Sequence, residues 1–126
     1  MYYIDLNAIT ENDVRGKWEV KERFINSNSE NTVFADVRII EIQPDHYRSI
    51  NGKERKGKWT VLREAEIIYN PQLKFYIEGQ EVGNAIITRL RYDPFDNGNL
   101  YKLTLYFDTG LELVLHKLET KTNQPN

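Results

Sequence analysis

Hydrophobic and polar residues alternate along most of the chain, in short runs separated by turn-forming residues. In residues 16–25, Trp18, Val20 and Phe24 share one face, as expected for a half-buried β-strand. Glu22 interrupts this face, either as a solvated residue at a bulge or strand end, or as a carboxylate that points into a cavity. The same alternation predicts further strands over residues 33–42, 46–50, 58–62, 65–69, 73–77, 84–92, 100–107 and 111–118.

Turn-forming residues separate these runs, and tight turns join antiparallel neighbours. The turns are predicted at Pro44-Asp45, Asn51-Gly52, Asn70-Pro71, Glu78-Gly79 and Asp108-Thr109-Gly110. Near the N-terminus, Thr10 and Asp13 have the spacing of a capping box, which predicts one helical turn before the first strand. Residues 1–8 are interpreted as a short strand or a clip over a barrel end, and residues 119–126 as a disordered polar tail.

The pattern predicts a single all-β domain over residues 1–126, with about eight antiparallel strands. The lack of a long helical pattern excludes a parallel α/β architecture. An up-and-down barrel removes the exposed edges of such a meander, and about eight strands leave an interior that side chains fill or that holds one small ligand. A two-sheet β-sandwich is the alternative.

Four short motifs carry a resemblance to a known family. Gly16–Trp18 opens the first strand after the helical turn, Pro44–Tyr47 forms a turn, Gly57–Trp59 opens a middle strand, and Lys117 lies in the last strand. Over about residues 10–118 the chain thereby resembles the bacterial lipocalin-like domains of the calycin group. The resemblance implies a lipocalin-like barrel that holds a partly apolar molecule without catalysing a reaction. The chain departs from the family pattern at His46, where a glycine is usual, and it has no clear arginine in the last strand.

The two Gly-Lys-Trp segments indicate either an internal duplication or two strands that independently need a glycine before a large aromatic residue. The flanking residues differ, which favours the second interpretation. Trp18 and Trp59 are predicted to be core residues, with stacking on a ligand as the alternative.

Composition narrows the functional classes. Lysine and arginine number 17 and aspartate and glutamate 19, a net charge of −2 with no long basic run, which disfavours nucleic-acid binding. Without cysteine there is no disulfide or thiolate metal site, and no apolar segment approaches the ~20 residues of a membrane helix. The N-terminus has no signal-peptide pattern, so we expect a cytoplasmic protein if Met1 is native and an exported one if a signal peptide preceded the sequence.

Catalytic constellations are scarce. His46 lies in a turn beside Asp45, and His116 alternates with Leu115 and Lys117 on the last strand, so both are expected at the surface. Metal-ligand spacings and phosphate-binding loops are missing from the sequence, and Ser27, Ser29 and Ser49 lack a nucleophile-elbow context. We therefore predict a protein that is not an enzyme and that has no cofactor or metal.

The eight tyrosines are more informative, because a ring with a polar tip suits a barrel mouth or an interface. Arg89 and Arg91 share one strand face and could bind an anionic ligand if that face were interior. Ile86, Leu90 and Tyr92 are the better inward set, which places the arginines outside. The candidate ligand-binding residues are Tyr47, Tyr69, Tyr76, Arg89 and Tyr101.

Two functions are predicted from this pattern, and a barrel enzyme that acts on a small apolar substrate is a third, less favoured alternative. The first is a carrier of a small apolar or amphipathic ligand inside the barrel. The second is a protein–protein interaction or inhibitor-like module whose core is filled and whose aromatic and charged rim contacts a protein partner. A cavity of a few hundred Å³ would favour the carrier. A core packed shut by Trp18, Trp59, Phe75 and Phe107 would favour the interaction module.

Overall fold

A computed structural model describes residues 2–25, 33–62, 70–93 and 100–118 of the chain. A 3₁₀ turn at Leu6–Ala8 and a helix, α1, at Glu11–Val14 precede the main sheet. The strands are β1 (Tyr2–Tyr3), β2 (Gly16–Phe24), β3 (Ile39–Gln43), β4 (His46–Ile50), β5 (Glu54–Leu62), β6 (Gln72–Ile77), β7 (Gln80–Asp93), β8 (Leu100–Phe107) and β9 (Glu112–Lys117). Among these described residues, no helix has the length and apolar character that crossing a membrane requires.

The strands β2 to β9 form a closed antiparallel barrel of eight strands in up-and-down order. Each strand pairs with the next in sequence, and β9 pairs back with β2. β1 adds to this barrel along β7, where Tyr2 pairs with Tyr92. The predicted all-β barrel is therefore confirmed, and the alternative of a two-sheet sandwich is excluded by the continuous ladder.

The two ends of the barrel differ. The turn at Pro44–Asp45 lies at the same end as α1, because Gly16 pairs with Ile42. We call this the helix end. The turns at Asn51–Gly52 and Glu78–Gly79 lie at the opposite end, which we call the hairpin end.

The N-terminal segment covers the helix end. The backbone N–H of Thr10 donates to the Asp13 carboxylate at 2.7 Å, so the predicted capping box and helical turn are confirmed. Ile9 and Val14 are buried on either side of this turn. The Trp18 indole donates to the Val14 carbonyl at 2.9 Å, which ties the helix to the first barrel strand.

Both tryptophans belong to the core, as predicted. Trp18 is fully buried and Trp59 is 5% exposed, and the Trp59 indole donates to the Gln43 carbonyl at 2.6 Å. Inward residues of every barrel strand surround them. The buried core includes Ile40, Ile42, Leu73, Phe75, Ala85, Ile87, Leu90, Leu103, Leu105, Phe107, Leu113 and Leu115.

The strand predicted over residues 33–42 is wrong in its first half. Residues 33–36 form a turn, and the strand begins only at Ile39. The turn brings the fully buried Phe34 into the interior, so the apolar alternation here serves a turn rather than a strand. The predicted strand at 65–69 and the predicted tail at 119–126 lie outside the described residues.

Three strand pairs of the described chain have a register shift, and those in β2 and in the second half of β7 change which residues point inward. The bulge between Val20 and Glu22 leaves Glu22 exposed, which confirms its interpretation as a solvated residue at a bulge. In β7, a bulge lies between Ile87 and Arg89. Ala85 and Ile87 point inward before it, and Leu90 points inward after it. The prediction that Ile86 points inward with Leu90 is therefore wrong, because Ile86 is only half-buried and pairs with the exposed Tyr106.

Candidate functional site

Four aromatic residues fill the interior near the hairpin end. The Phe34 ring lies 4.8 Å from Phe75, 5.2 Å from Phe107 and 6.0 Å from Tyr47, measured between ring centroids. Tyr47 meets Phe75 edge-on at 4.9 Å. All four are at most 1% exposed, and together they are called the aromatic cluster below. Offset and edge-on contacts of this kind are favourable, so the cluster is a packed core rather than a lined cavity.

Two arginines of the barrel strands donate hydrogen bonds to the backbone of the segment that supplies Phe34. We call residues 33–37 the plug segment. The Arg23 guanidinium donates to the carbonyls of Ala35 and Val37, each at 2.6 Å. Arg55 reaches the carbonyl of Val33 at 3.5 Å. Arg23 reaches these carbonyls because the bulge in β2 pairs it with the buried Leu113.

The Tyr47 hydroxyl is an unusual polar group of the interior. It is buried, and it has no hydrogen-bond partner in the described part of the chain. Burial raises the pKa of Tyr47 to about 12, and the positive charge of Arg55 opposes this rise. The phenol is therefore neutral over the physiological range and remains a hydrogen-bond donor.

A groove of about 530 Å³ lies on the outer wall of the barrel, where β4 and β5 face the β6–β7 turn. We call it the outer groove. Its lining comes from two sides. His46, Tyr47, Lys56, Gly57 and Lys58 line it from β4 and β5, and Tyr76, Glu78 and Gly79 line it from the β6–β7 hairpin. Its lining is mainly apolar, although three of these residues are basic.

A smaller groove of about 320 Å³ adjoins it across His46 and Lys56. Ion pairs cross this second groove: Arg48 contacts Glu41 at 2.6 Å and Glu54 at 3.1 Å. The hydrogen bonds that Arg48 donates to Glu41 and then to Glu54 raise the pKa of its guanidinium above the usual value. The charges of this groove are thus already compensated by neighbouring strands.

The outer groove has uncompensated charge. Lys56 contacts Glu54 at 3.7 Å with its side chain 74% exposed, and it shares that carboxylate with Arg48. Lys58 forms no ion pair with any residue that the structure describes. His46 is exposed, as predicted, and its Nε2 lies 2.7 Å from the Gln43 amide oxygen. The groove therefore presents two lysines on its β5 side and one carboxylate, Glu78, on the opposite side, around a mainly apolar lining.

The four predicted site residues that the structure describes are not brought together in one place. Tyr47 and Tyr76 approach each other at Gly57, Tyr47 from the interior and Tyr76 from the outer groove. Arg89 is exposed on the outer wall and does not point into the barrel. Tyr101 lies half-buried at the helix end, 4.8 Å from the Tyr92 ring. Tyr69 lies outside the described residues.

Lys117 occupies an aromatic environment at the helix end. Its ammonium nitrogen lies 5.5 Å from the ring centroids of both Trp18 and Tyr101. Burial lowers the pKa of Lys117, and the carboxylate of Asp13 opposes this effect. Clusters of histidine, cysteine, aspartate or glutamate that could hold a metal are absent from the described ranges.

Sequence reasoning missed Phe34, Arg23, Arg55 and Gly57 as functional candidates. Gly57 carried a signal, since a glycine inside an alternating strand marks a close backbone approach. The other three depend on which residues meet across the barrel, and the sequence pattern does not contain that information.

Comparisons of the chain with protein-family models, with curated proteins and with solved structures give no match.

Proposed function

We propose that this chain is a non-catalytic interaction module that binds a protein partner through the outer groove. The observation that carries the proposal is the packing of large side chains in the interior that the structure describes. Trp18, Trp59, Phe75 and Phe107 are all buried, and Phe34 enters among them from the plug segment. A ligand inside the barrel would have to replace these side chains, whereas the outer groove is open in the same conformation.

Three of the residues that carry the resemblance to lipocalin-like domains, Gly16, Trp18 and Lys117, lie together, which supports a related barrel. Lys117 lies over the Trp18 ring, and a β-carbon at Gly16 would come within 2.5 Å of the Lys117 Cε. These contacts bear on the architecture and not on the ligand, because one fold supports many functions.

A carrier of a small amphipathic anion is the second candidate, and the interior polar groups favour it. Arg23 and Arg55 point towards the plug segment, and the Tyr47 hydroxyl has no partner among the described residues. An anionic ligand could accept hydrogen bonds from these groups only after the plug segment moves and Phe34 leaves the aromatic cluster. Since that rearrangement exposes a fully buried ring, the interaction module is favoured.

The test is site-specific photo-crosslinking in the protein's own host. A benzophenone amino acid replaces Lys58 in the outer groove, and the matched control replaces Lys17, an exposed lysine on β2. We expect a discrete protein adduct from position 58 and none from position 17.

Native mass spectrometry of protein purified from the same host gives the opposing result. A stoichiometric small molecule, together with no adduct at position 58, would refute the interaction module in favour of the carrier.

A further inference from the structure

We propose that the outer groove binds an extended, acidic peptide segment of the partner, which pairs as an added strand with the free edge of β5. This inference rests on the proposed function and names the chemistry of the partner.

The pairing of β5 leaves part of one edge open. Residues 54–58 of β5 pair with β4, from Ile50 opposite Glu54 to His46 opposite Lys58. On its other side, β5 pairs with β6 only from Lys58 to Leu62. Within the described chain, residues 54–57 therefore have a strand on one side only. In an antiparallel ladder alternate residues bond to each side, so about two of these residues direct their N–H and C=O groups away from β4.

The backbone of β6 explains why the edge opens at this place. Tyr76 still pairs with Lys58, but Ile77 already pairs with Gln80 in the β6–β7 hairpin. The turn residues Glu78 and Gly79 both have positive φ, at 52° and 81°, which reverses the chain beside β5. The outer groove occupies the space where a further strand would continue the ladder.

Gly57 marks the point at which the two strands separate. A β-carbon there would overlap the Tyr76 carbonyl oxygen and lie 2.8 Å from Cε1 of Tyr47. Because Gly57 has no side chain, the β6 backbone at Tyr76 can approach β5 closely. The same glycine forms part of the mainly apolar lining of the outer groove. Such an exposed, unpaired strand edge is the template that β-strand addition uses.

Charge selects an acidic segment. The exposed side chains of Lys56 and Lys58 lie along the open edge, and the exposed Lys53 precedes it in the β4–β5 turn. Arg55 points the other way, towards the plug segment.

Two acids lie near these lysines. The Glu54 carboxylate contacts Arg48 and Lys56, and Glu78 lines the opposite side of the groove. Of the two lysines along the edge, Lys58 is the one without an ion pair among the described residues. Because complementary charge speeds association and fixes orientation, carboxylates of the added strand would lie beside Lys56 and Lys58.

The half-buried Tyr76 selects an aromatic or aliphatic anchor. Tyr76 and Gly57 both line the outer groove, whose surface is mainly apolar. An anchor side chain in a groove of about 530 Å³ can bury apolar surface against the tyrosine and the lysine stems. Nucleic acid fits less well, since phosphates use the cations but make no use of an open β-strand edge.

The probe is a blocked octapeptide in which glutamate alternates with valine around a central tyrosine, titrated into the full ¹⁵N-labelled chain. We expect saturable shifts of the Lys56, Gly57 and Lys58 amides, and slower exchange of the edge amides with solvent. Reversing Lys56 and Lys58 to glutamate should weaken binding about tenfold or more, because two attractions become repulsions. Lys17→Glu is the matched control and should leave the affinity unchanged.

A second peptide, N-methylated at alternate residues, cannot donate its backbone hydrogens to the edge and should not bind. Equal binding of that peptide, or of a peptide with lysine in place of glutamate, would overturn strand addition. A single-stranded oligothymidylate that binds at the same amides more tightly than the acidic peptide would also overturn it.

Photo-crosslinking separates this failure from that of the proposed function. A protein adduct at position 58 without peptide binding would overturn strand addition and leave the interaction module standing. If neither a protein adduct at position 58 nor peptide binding is observed, both proposals are overturned.

Discussion

Replacing Phe34 with alanine tests whether the interior is closed by the chain's own side chains. Phe34 is fully buried, although it lies in a turn and not in a strand. Its ring contacts three other rings of the aromatic cluster at 4.8–6.0 Å. The substitution removes the ring and leaves the arginine contacts to the backbone of the plug segment intact.

The expected loss of stability follows from these contacts. Burial of a phenylalanine side chain is worth about 1.5–3 kcal/mol, and each aromatic pair adds about 0.5–1.5 kcal/mol. The walls of the cavity left behind are strands of a closed barrel, which collapse poorly into an empty space. We therefore expect Phe34→Ala to lower the free energy of unfolding by about 3–5 kcal/mol, a large share of the total for one domain.

Urea denaturation followed by tryptophan fluorescence measures this loss. Phe24→Ala is the matched control, because that side chain is 54% exposed and its removal should change stability by less than about 0.5 kcal/mol. Equal unfolding midpoints for the two variants would refute the aromatic cluster. A double variant, Phe34→Ala with Phe75→Ala, should cost less than the sum of the single variants, since the two rings contact each other.

Three further predictions use the same measurement. Trp18→Ala should cost roughly 3–5 kcal/mol and Glu19→Ala close to nothing, so similar midpoints would contradict the assigned faces of β2. Gly57→Ala should destabilise the barrel, because its β-carbon would overlap the Tyr76 carbonyl oxygen, and an unchanged midpoint would contradict the close approach of β6. The pKa of Tyr47, about 12 in the folded state against 10 for an ordinary tyrosine, predicts that stability falls as pH rises from 10 to 12. Tyr47→Phe should lessen that fall, and a slope equal to that of wild type would contradict the raised pKa.

Local patterns were sufficient for most of the barrel. The predicted bounds of β4 and β8 match the observed strands, and the capping box at Thr10 forms as expected. These elements depend on residues that are close in sequence. Each strand is a run of alternating apolar and polar residues with a turn at either end.

The elements that failed depend on contacts between distant residues. Residues 33–37 alternate like a strand, yet Phe34 is drawn into the interior by Phe75 and Phe107, far along the chain. The position of the bulge in β7 also cannot be predicted from the local pattern. It is set by the register in which β7 pairs with β8. Which residues are buried, and which face of a strand points inward, therefore depends in part on how the strands pair around the closed barrel.

The two Gly-Lys-Trp segments show why a motif alone could not locate the candidate site. Gly16 has a positive φ of 132° and leaves room for the Lys117 side chain at the helix end. Gly57 has no positive φ, and it leaves room for the backbone of β6. The glycines thus meet different steric needs before two buried tryptophans, which favours independent origins over a duplication. Only at Gly57 does the neighbouring strand then turn away, and this non-local event produces the open edge that the proposed partner would use.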